Sequence, residues 1–317
     1  MPNWNEIFNE VQLITQTSRN QADLAITLVR HKYLKVLQAY TKRNVIAYYS
    51  GWLSKPGLAL SDINDEDKAG FMTTIHKMDR KLGLDLILHT PGGGIAATQS
   101  IVNYLQKMFG SDIRAIVPQI AMSAGTIIAC CCKEILMGKQ SNLGPIDPQL
   151  RGIPAAGVRH EFRRAVREIR RDPTKTVVWQ QIIGQYRPTF LGQCENAIKW
   201  SNDFVIQQLT NCMLRRRKDR TALARKVARK LSDYSRTLSH ERHFHAEELL
   251  SFGLNIKYLE ADPRLQDAVL SVHHSYMLTL MNTAALKIIE NHNGVALVKN
   301  APTVPVAPLG LKVEPPT

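Results

Sequence analysis

The stretch LDLILHTPGGG, residues 84–94, joins a short apolar run to three consecutive glycines. The run Leu84 to Leu88 has the length and composition of a buried β-strand. Glycine has no Cβ, so the backbone N–H groups of glycines at a strand end can approach a ligand closely. The stretch therefore predicts a strand whose carboxyl end forms part of a binding or catalytic site.

A second motif of small residues follows the next apolar run. Ile113–Val117 (IRAIV) predicts a strand, and PQIAMSAGT, residues 118–126, places Ser123 just beyond it. A serine on a sharp turn between strand and helix is exposed as a nucleophile must be. The two motifs together predict an oxyanion hole beside a nucleophile. The alternative is that Ser123 only caps its helix and the glycines only allow a tight turn.

Strands and helices alternate around these two motifs, and this alternation predicts an α/β fold with a parallel sheet. Functional loops of such sheets collect at the carboxyl ends of the strands, where both motifs lie. The other predicted elements are a strand over Asn44–Trp52, a helix that opens at Ser61–Asn64 and stops near Gly83, a helix over Ile95–Phe109, a buried helix over Ala124–Cys132, and a short strand over Glu134–Met137.

The charge of the chain is strongly positive. Lys and Arg number 41 and Asp and Glu 27, which gives a formal net charge of +14. The arginines of Val158–Arg171 and the basic residues after Leu214 recur at helical spacing. Basic faces can contact phosphates, but no aromatic interleaving and no nucleic-acid motif accompanies them here. We therefore favour solvated faces or contacts between subunits over a nucleic-acid or anionic-lipid surface.

The cysteines and the termini indicate the compartment. Three of the five cysteines are consecutive, Cys130 to Cys132, and no CxxC pair exists, so neither a disulfide framework nor a zinc site is expected. The first residues lack the basic and apolar regions of a secretory signal, and no run of about 18 apolar residues occurs. We predict a cytoplasmic protein with no transmembrane segment.

Cofactor and metal sites are not indicated. No GxxxxGK[ST] stretch is present, so no ATP site is expected. His240, His243 and His245 form a small cluster with metal-like spacing, but no carboxylate or cysteine partner stands out in the sequence. We therefore predict no cofactor and no metal.

The order of the motifs resembles that of the Clp-protease and signal-peptide-peptidase-A class of serine peptidases, which have the crotonase-like fold. Within this class the chain is most similar to the serine dehydrogenase proteinase family. The residues that carry the resemblance are His89–Gly93, Ala121–Thr126 and LGPIDPQ at Leu143–Gln149. A fainter match is HFHAEELLSFGL, residues 243–254, which looks like the segment before the last core strand of Clp-type subunits. The resemblance covers residues 40–262 approximately.

The resemblance implies roles for individual residues. Ser123 would be the nucleophile, and the N–H groups of Gly93 and Ala124 would form the oxyanion hole. Clp-type relatives add a histidine and an aspartate, but LGPID carries no histidine where one is expected. Asp147 lies in a turn bracketed by Pro145 and Pro148, and we therefore predict a structural role for it, holding the floor of the site.

A Ser–Lys dyad, as in signal-peptide-peptidase-like relatives, is the favoured arrangement. A lysine acts as a base only when burial lowers its pKa. Lys175 is the first candidate, because it lies at a suitable distance downstream and enters an apolar run. His160 is the second candidate, because a histidine needs no pKa shift for this role.

The resulting prediction is a ClpP/crotonase-like core of parallel strands and helices, with helical additions at both ends. It comprises an N-terminal helical arm (1–42), a serine peptidase domain (43–262), a C-terminal helix (263–300) and a disordered Pro-rich tail (301–317). The predicted function is hydrolysis of a protein or peptide substrate through an acyl-enzyme on Ser123, in a homo-oligomer whose contacts involve the first and last helices. The alternative is a catalytically inactive scaffold of the same fold, or a protein that binds an anionic surface.

Overall fold

The computed structural model describes residues 4–17, 22–58 and 60–302. Short 3₁₀ turns occupy Arg80–Leu82, Pro173–Lys175 and Leu259–Ala261. The helices of this part of the chain are α1 (Trp4–Thr17), α2 (Ala22–Thr41), α3 (Asp67–Ile75), α4 (Ile95–Phe109), α5 (Ala124–Cys130), α6 (Ala155–Arg171), α7 (Thr176–Ile183), α8 (Phe190–Asn211), α9 (Arg220–Ser232), α10 (Tyr234–Thr237), α11 (Ala246–Phe252) and α12 (Pro263–Asn282).

The strands form one large sheet and two small pairs. In the described residues the large sheet has the order β11-β10-β1-β2-β3-β5-β9, while β4 pairs with β6 and β7 pairs with β8. The strands are β1 (Asn44–Ser50), β2 (Leu84–His89), β3 (Ile113–Val117), β4 (Ile120–Ala121), β5 (Glu134–Met137), β6 (Asn142–Leu143), β7 (Gln149–Leu150), β8 (Ile153–Pro154), β9 (Ile256–Tyr258), β10 (Ala285–Asn291) and β11 (Ala296–Asn300).

The predicted α/β fold with a parallel sheet is confirmed. Strands β1, β2, β3, β5 and β9 run parallel to one another, and the hairpin β10–β11 adds two antiparallel strands beside β1. Successive side chains of a strand point to opposite faces, and β1 follows this rule: Ile46 and Tyr48 join the apolar cluster on one face, whereas Ala47 and Tyr49 join the cluster on the other. Both faces of the sheet are thus covered, which explains the continuous apolar character of its strands.

The N-terminal helical arm predicted over residues 1–42 consists, in the described residues, of two helices. Helix α1 ends at Thr17 and α2 begins at Ala22, and residues 18–21 lie outside the described part. Both helices pack with α12 against one face of the sheet, through buried residues such as Ile7 in α1 and Val29 in α2. The apolar spacing of residues 3–42 therefore arises from packing against the sheet.

The prediction of a C-terminal helix over residues 263–300 is wrong in its second half. Helix α12 ends at Asn282, and residues 285–300 form the hairpin β10–β11. All seven residues of β10 are buried, because this strand pairs antiparallel with β1. The dipeptide Asn293-Gly294, a typical hairpin turn, was the local signal for this arrangement. The predicted disordered tail over 301–317 lies outside the described residues, except for Ala301 and Pro302.

The helix predicted to open at Ser61–Asn64 begins later, at Asp67. Ile63, instead of starting a helix, forms a parallel bridge with Gly93. The predicted strand over Leu84–Leu88 and the predicted helix over Ile95–Phe109 are both present. None of the helices in the described ranges is both long and apolar enough to cross a lipid bilayer.

Candidate active site

The glycine turn after β2 is held open by a partner strand segment. Ile63 N–H donates to Gly92 O at 2.7 Å, and Gly94 N–H donates to Ile63 O at 2.9 Å. Gly93 lies between the two residues, Gly92 and Gly94, that bond to Ile63. In a parallel pairing the N–H group of such a residue points away from the partner segment. A Cβ on Gly93 would lie 2.3 Å from Ile63 O. Only glycine fits this position.

Ser123 lies on a strained turn between β4 and α5. Its φ of +52° and ψ of −113° are unusual for a residue with a side chain. Met122 N–H donates to Thr90 O on one side of the turn, and Gly125 N–H donates to Met122 O on the other. Strain of this kind is typical of functional positions, and here it exposes the Ser123 hydroxyl at the end of the sheet.

Gly92 brings the two predicted motifs into contact. A Cβ on Gly92 would lie 2.7 Å from Ser123 Cβ and 3.1 Å from Ala124 N. The glycine turn therefore packs directly against the serine turn. Neither Gly93 N–H nor Ala124 N–H has an acceptor within the described residues. Two unpaired N–H groups beside a hydroxyl are the arrangement that an oxyanion hole requires.

Thr126 joins the serine turn to the LGPID stretch. Its hydroxyl lies 3.0 Å from both Ala121 O and Gly144 O and can donate to either carbonyl oxygen. The same hydroxyl accepts a hydrogen bond from Gly144 N–H at 2.9 Å. Strands β4 and β6 pair in parallel beside this contact. The segment that leads to Asp147 is thereby fixed against the turn that carries Ser123.

A cavity of about 700 Å³ opens over these turns. Gly93, Ser123 and Ala124 line it together with His240. The remaining lining residues are Asp62, Pro91, Gly92, Gly94, Ile95, Ala96, Ile127, Ile146, Pro148, Gln149, Leu150, Gly152, Ala197 and Ser201. The volume and the mostly apolar lining are typical of a ligand-binding cavity.

Asp147 and His240 form a hydrogen-bonded pair at this cavity. His240 Nδ1 lies 2.9 Å from Asp147 Oδ1, and Asp147 is buried. Because a carboxylate only accepts hydrogen bonds, Nδ1 carries the proton and Nε2 is left as an acceptor. A bridge between Leu143 and Phe244 holds the segment of His240 against the LGPID stretch. An imidazole oriented by a buried carboxylate is the usual partner of a nucleophilic serine.

The structure does not bring the two predicted bases to this cavity. Lys175 ends the 3₁₀ turn before α7, its side chain is 47% exposed, and Nζ lies 3.6 Å from Glu168 Oε2. Such a lysine lacks the burial that a neutral amine needs. His160 lies on α6 and lines a different cavity, together with Tyr186 and Tyr234.

His240 was not predicted as a catalytic residue from the sequence. It was grouped with His243 and His245 as a candidate metal cluster. Its pairing with Asp147 spans 93 residues, so no local pattern could connect them. The available signal was the histidine-rich stretch before the last core strand, in the segment that the family resemblance already aligned. The described residues contain no group of three His, Cys, Asp or Glu side chains placed to hold a metal ion.

Other candidate nucleophiles and bases near the sheet are buried in apolar surroundings. Burial raises the pKa of the Cys130 thiol to about 12, and the pKa of Cys131 and Cys132 well above the usual value. Burial, and secondarily the nearby His273, lowers the pKa of His89 well below its usual range. These groups are neutral at pH 7 and do not reach the cavity of Ser123.

The comparisons with known proteins identify the family of this chain. The family described as ClpP-like SDH-type serine proteinase matches residues 12–277. Uncharacterized protein MJ1495 of Methanocaldococcus jannaschii is 28% identical over 194 residues, which is 61% of this chain and 59% of that protein. Uncharacterized protein MJ0137 of the same organism is 40% identical over 96 residues, which is 30% of this chain and 33% of that protein. The chain thus spans less than two thirds of the length of either relative. Because the family match extends over most of its length, this chain belongs to the ClpP-like SDH-type serine proteinases.

Proposed function

We propose that this protein is a serine peptidase of the signal-peptide-peptidase-A and Clp class, in which Ser123, His240 and Asp147 act together. The observation that carries the proposal is the presence of Ser123 and His240 in one cavity, with Asp147 bonded to the far side of the imidazole. Membership of a serine proteinase family supports it. In this proposal His240 replaces Lys175 and His160 as the base.

The proposed reaction follows from the placement of these groups. Ser123 Oγ attacks the peptide carbonyl carbon while His240 Nε2 takes the hydroxyl proton, and the carbonyl oxygen becomes an oxyanion held by the N–H groups of Gly93 and Ala124. Collapse of this intermediate breaks the C–N bond, and His240 gives the proton to the leaving amine. Water then attacks the acyl-enzyme by the same proton route and releases Ser123.

Labelling with an uncharged fluorophosphonate probe tests this assignment. The probe reacts with an activated serine, so Ser123→Ala should abolish labelling. His240→Ala and Asp147→Asn should slow it by about 10²–10⁴-fold, the usual contribution of general base catalysis. Rates are measured on folded protein, checked by circular dichroism.

Two matched variants make the assignment of the base decisive. Lys175→Ala and His160→Ala should label at the wild-type rate, because neither side chain lines the cavity. Full labelling of His240→Ala together with loss in Lys175→Ala would overturn the triad and support a Ser–Lys dyad. A folded wild-type protein that does not label at all would contradict the peptidase function and favour the scaffold or binding function.

The proposal extends to the assembly and the compartment. The substrate is a protein or peptide chain, and the protein acts as a homo-oligomer in the cytoplasm. Exposed leucines on the first two helices, Leu13, Leu24 and Leu28, support contacts between subunits there. All five cysteines are unpaired, as is usual in a reducing compartment. Light scattering of the purified protein tests the assembly, and a monomer at micromolar concentration would contradict it.

A further inference from the structure

Asp62 is distinctive among the residues that line the active-site cavity. Within the described part of the chain it is the one carboxylate of that lining, and His240 is the one other titratable side chain. The remaining lining residues are glycine, proline, alanine, serine, glutamine, leucine and isoleucine. A single carboxylate in an otherwise uncharged cavity gives that cavity a negative potential.

The backbone places Asp62 beside the glycine turn. Asp62 immediately precedes Ile63, whose bridge partner is Gly93, so the parallel register sets Asp62 opposite Gly92. Neighbouring strands lie about 4.8 Å apart, and Gly92 itself packs against Ser123. Ile63 is buried and Asp62 is exposed, as the alternation of side chains along an extended segment requires. The Asp62 carboxylate thus borders the space that a substrate residue occupies near Ser123.

A buried lysine holds the Asp62 backbone in place. Lys287, fully buried on β10, donates from Nζ to Asp62 O at 2.6 Å. The same ammonium group contacts both carboxylate oxygens of Asp67, at 2.9 and 3.0 Å. The charge of Lys287 is therefore matched by Asp67. The Asp62 carboxylate itself makes no ion pair and accepts no hydrogen bond within residues 4–17, 22–58 and 60–302.

We propose that Asp62 selects substrates with a lysine or arginine side chain close to the scissile bond. This inference rests on the proposed peptidase function and names the substrate class of the same site. A cationic side chain that enters the cavity gains an ion pair with a carboxylate that interacts with Lys287 only at longer range and makes no direct ion pair in the described residues. A neutral or acidic side chain leaves that carboxylate without a direct ion pair or repels it.

Competition between peptide aldehydes and the fluorophosphonate probe tests this preference without requiring turnover. An aldehyde adds reversibly to Ser123 Oγ and protects it from labelling. Two aldehydes are compared that differ only in lysine or norleucine, because these side chains differ mainly in the ammonium group. Three such pairs are made. The lysine or norleucine is the residue that carries the aldehyde in the first pair, and it is one or two residues before that position in the others. In at least one position lysine should protect at about tenfold lower concentration, as expected for one ion pair worth about 1.4 kcal/mol.

The variants identify the responsible carboxylate. Asp62→Asn should remove the preference for lysine, with protection by each aldehyde measured relative to that variant's own labelling rate by the uncharged probe. Asp65→Asn is the matched control: this exposed aspartate lies three residues further on and outside the cavity, and it should keep the preference. Three results would overturn the role of Asp62 in a wild-type protein that reacts with the probe. The first two are equal protection of Ser123 by the lysine and norleucine aldehydes, and protection by neither of them. The third is a preference for lysine that persists in Asp62→Asn. Absence of labelling in the wild-type protein would instead contradict the peptidase function itself.

Discussion

At the scale of single residues, the site depends on backbone conformations that side chains ordinarily avoid. Ser123 has a positive φ, and a conformation of this kind costs about 1–3 kcal/mol. The surrounding hydrogen bonds of Met122 and Gly125 maintain it. Gly92 has a φ of +106° and leaves no room for a Cβ beside Ser123. The strain at Ser123 and the absence of a side chain at Gly92 together create the contact between the two turns.

Gly92→Ala should displace the serine turn and strongly reduce fluorophosphonate labelling. The new methyl group would lie 2.7 Å from Ser123 Cβ and 2.9 Å from Met122 O, so one of the two turns must move. Labelling rate and the free energy of unfolding are measured together. Gly110→Ala is the control, because Gly110 also has a positive φ but open space around it. Equal labelling of both variants would show that the contact with Ser123 has no effect on reactivity.

Buried histidines should make the protein less stable in acid. Burial, with a smaller effect of the nearby His274, lowers the pKa of His273 to about 3, whereas an unfolded histidine titrates near 6.5. Between about pH 6.5 and 3 the unfolded state therefore binds a proton at His273 and the folded state does not. The free energy of unfolding is thus highest above about pH 6.5 and decreases as the pH falls toward 3. The slope is at most about 1.4 kcal/mol per pH unit for this group.

Denaturation curves between pH 7 and 4 test this contribution. His273→Phe should flatten the dependence of the free energy of unfolding on pH. His76→Phe, a substitution at an exposed histidine, should leave the slope as it is in the wild-type protein. A parallel loss of stability with pH in wild type and His273→Phe would contradict the assignment.

At the scale of elements, the hairpin β10–β11 stabilises the active site from outside the predicted catalytic core. Lys287 on β10 contacts Asp67 at the start of α3 and the carbonyl of Asp62. Asp67 also accepts hydrogen bonds from Tyr48 OH at 2.8 Å and from Asn64 N–H at 3.0 Å. One buried carboxylate thus joins β1, β10 and the segment that pairs with the glycine turn.

Lys287→Met should lower the free energy of unfolding by about 3–5 kcal/mol, because within the described residues it leaves the buried Asp67 with one longer ion pair, to Lys299 at 3.6 Å. The double variant Lys287→Met/Asp67→Asn should recover part of this loss, since asparagine retains an acceptor without the charge. Urea denaturation measures both. Lys32→Met, which removes the ion pair of an exposed lysine with Glu10, should have a small effect by comparison. A double variant that is less stable than the single one would refute the buried charge of Asp67 as the cause.

At the scale of the whole molecule, a second buried cluster connects the N-terminal helices to the C-terminal hairpin. Glu290 on β10 pairs with Arg30 of α2 and accepts from Tyr276 OH of α12 at 2.6 Å. Burial by itself would raise the pKa of Glu290, but His31, Arg30 and Tyr276 together hold it below the usual value. The two ends of the chain are therefore joined through one carboxylate under the sheet.

Glu290→Gln should destabilise the protein by about 3–5 kcal/mol, because Arg30 would keep its charge in a buried position. The loss should appear at pH 7 and diminish as the pH falls below about 4.3, because the unfolded wild-type chain then takes up a proton at this carboxyl while the folded chain, in which the pKa of Glu290 is lowered, does not. Urea unfolding at pH 7 and at about pH 3 measures both. Glu241→Gln at an exposed position is the control. A loss of equal size at both pH values would argue against a role for the charge.

Local patterns were sufficient for the elements that decide the fold. The apolar runs of β2 and β3, and the 15-residue helix α4 between them, are encoded by residues near one another in sequence. Ser123 and the three glycines were also identifiable, because a sharp turn next to a strand has a composition of its own. The hairpin β10–β11 was not predicted. Its apolar residues are also compatible with a helix, and the pairing that makes β10 a strand is with β1, far away in the chain.

The sequence by itself determined the order of β1, α3, β2, α4, β3, α5 and β5, and the two turns that carry the glycines and Ser123. Only the tertiary structure decided which side chains meet there. His240 reaches Asp147 because Phe244 pairs with Leu143, and Asp62 borders the cavity because Ile63 pairs with Gly93. Both pairings join segments distant in the chain, and their partners are backbone groups, which every residue carries. The pattern of side chains in one sequence therefore does not predict these two backbone pairings.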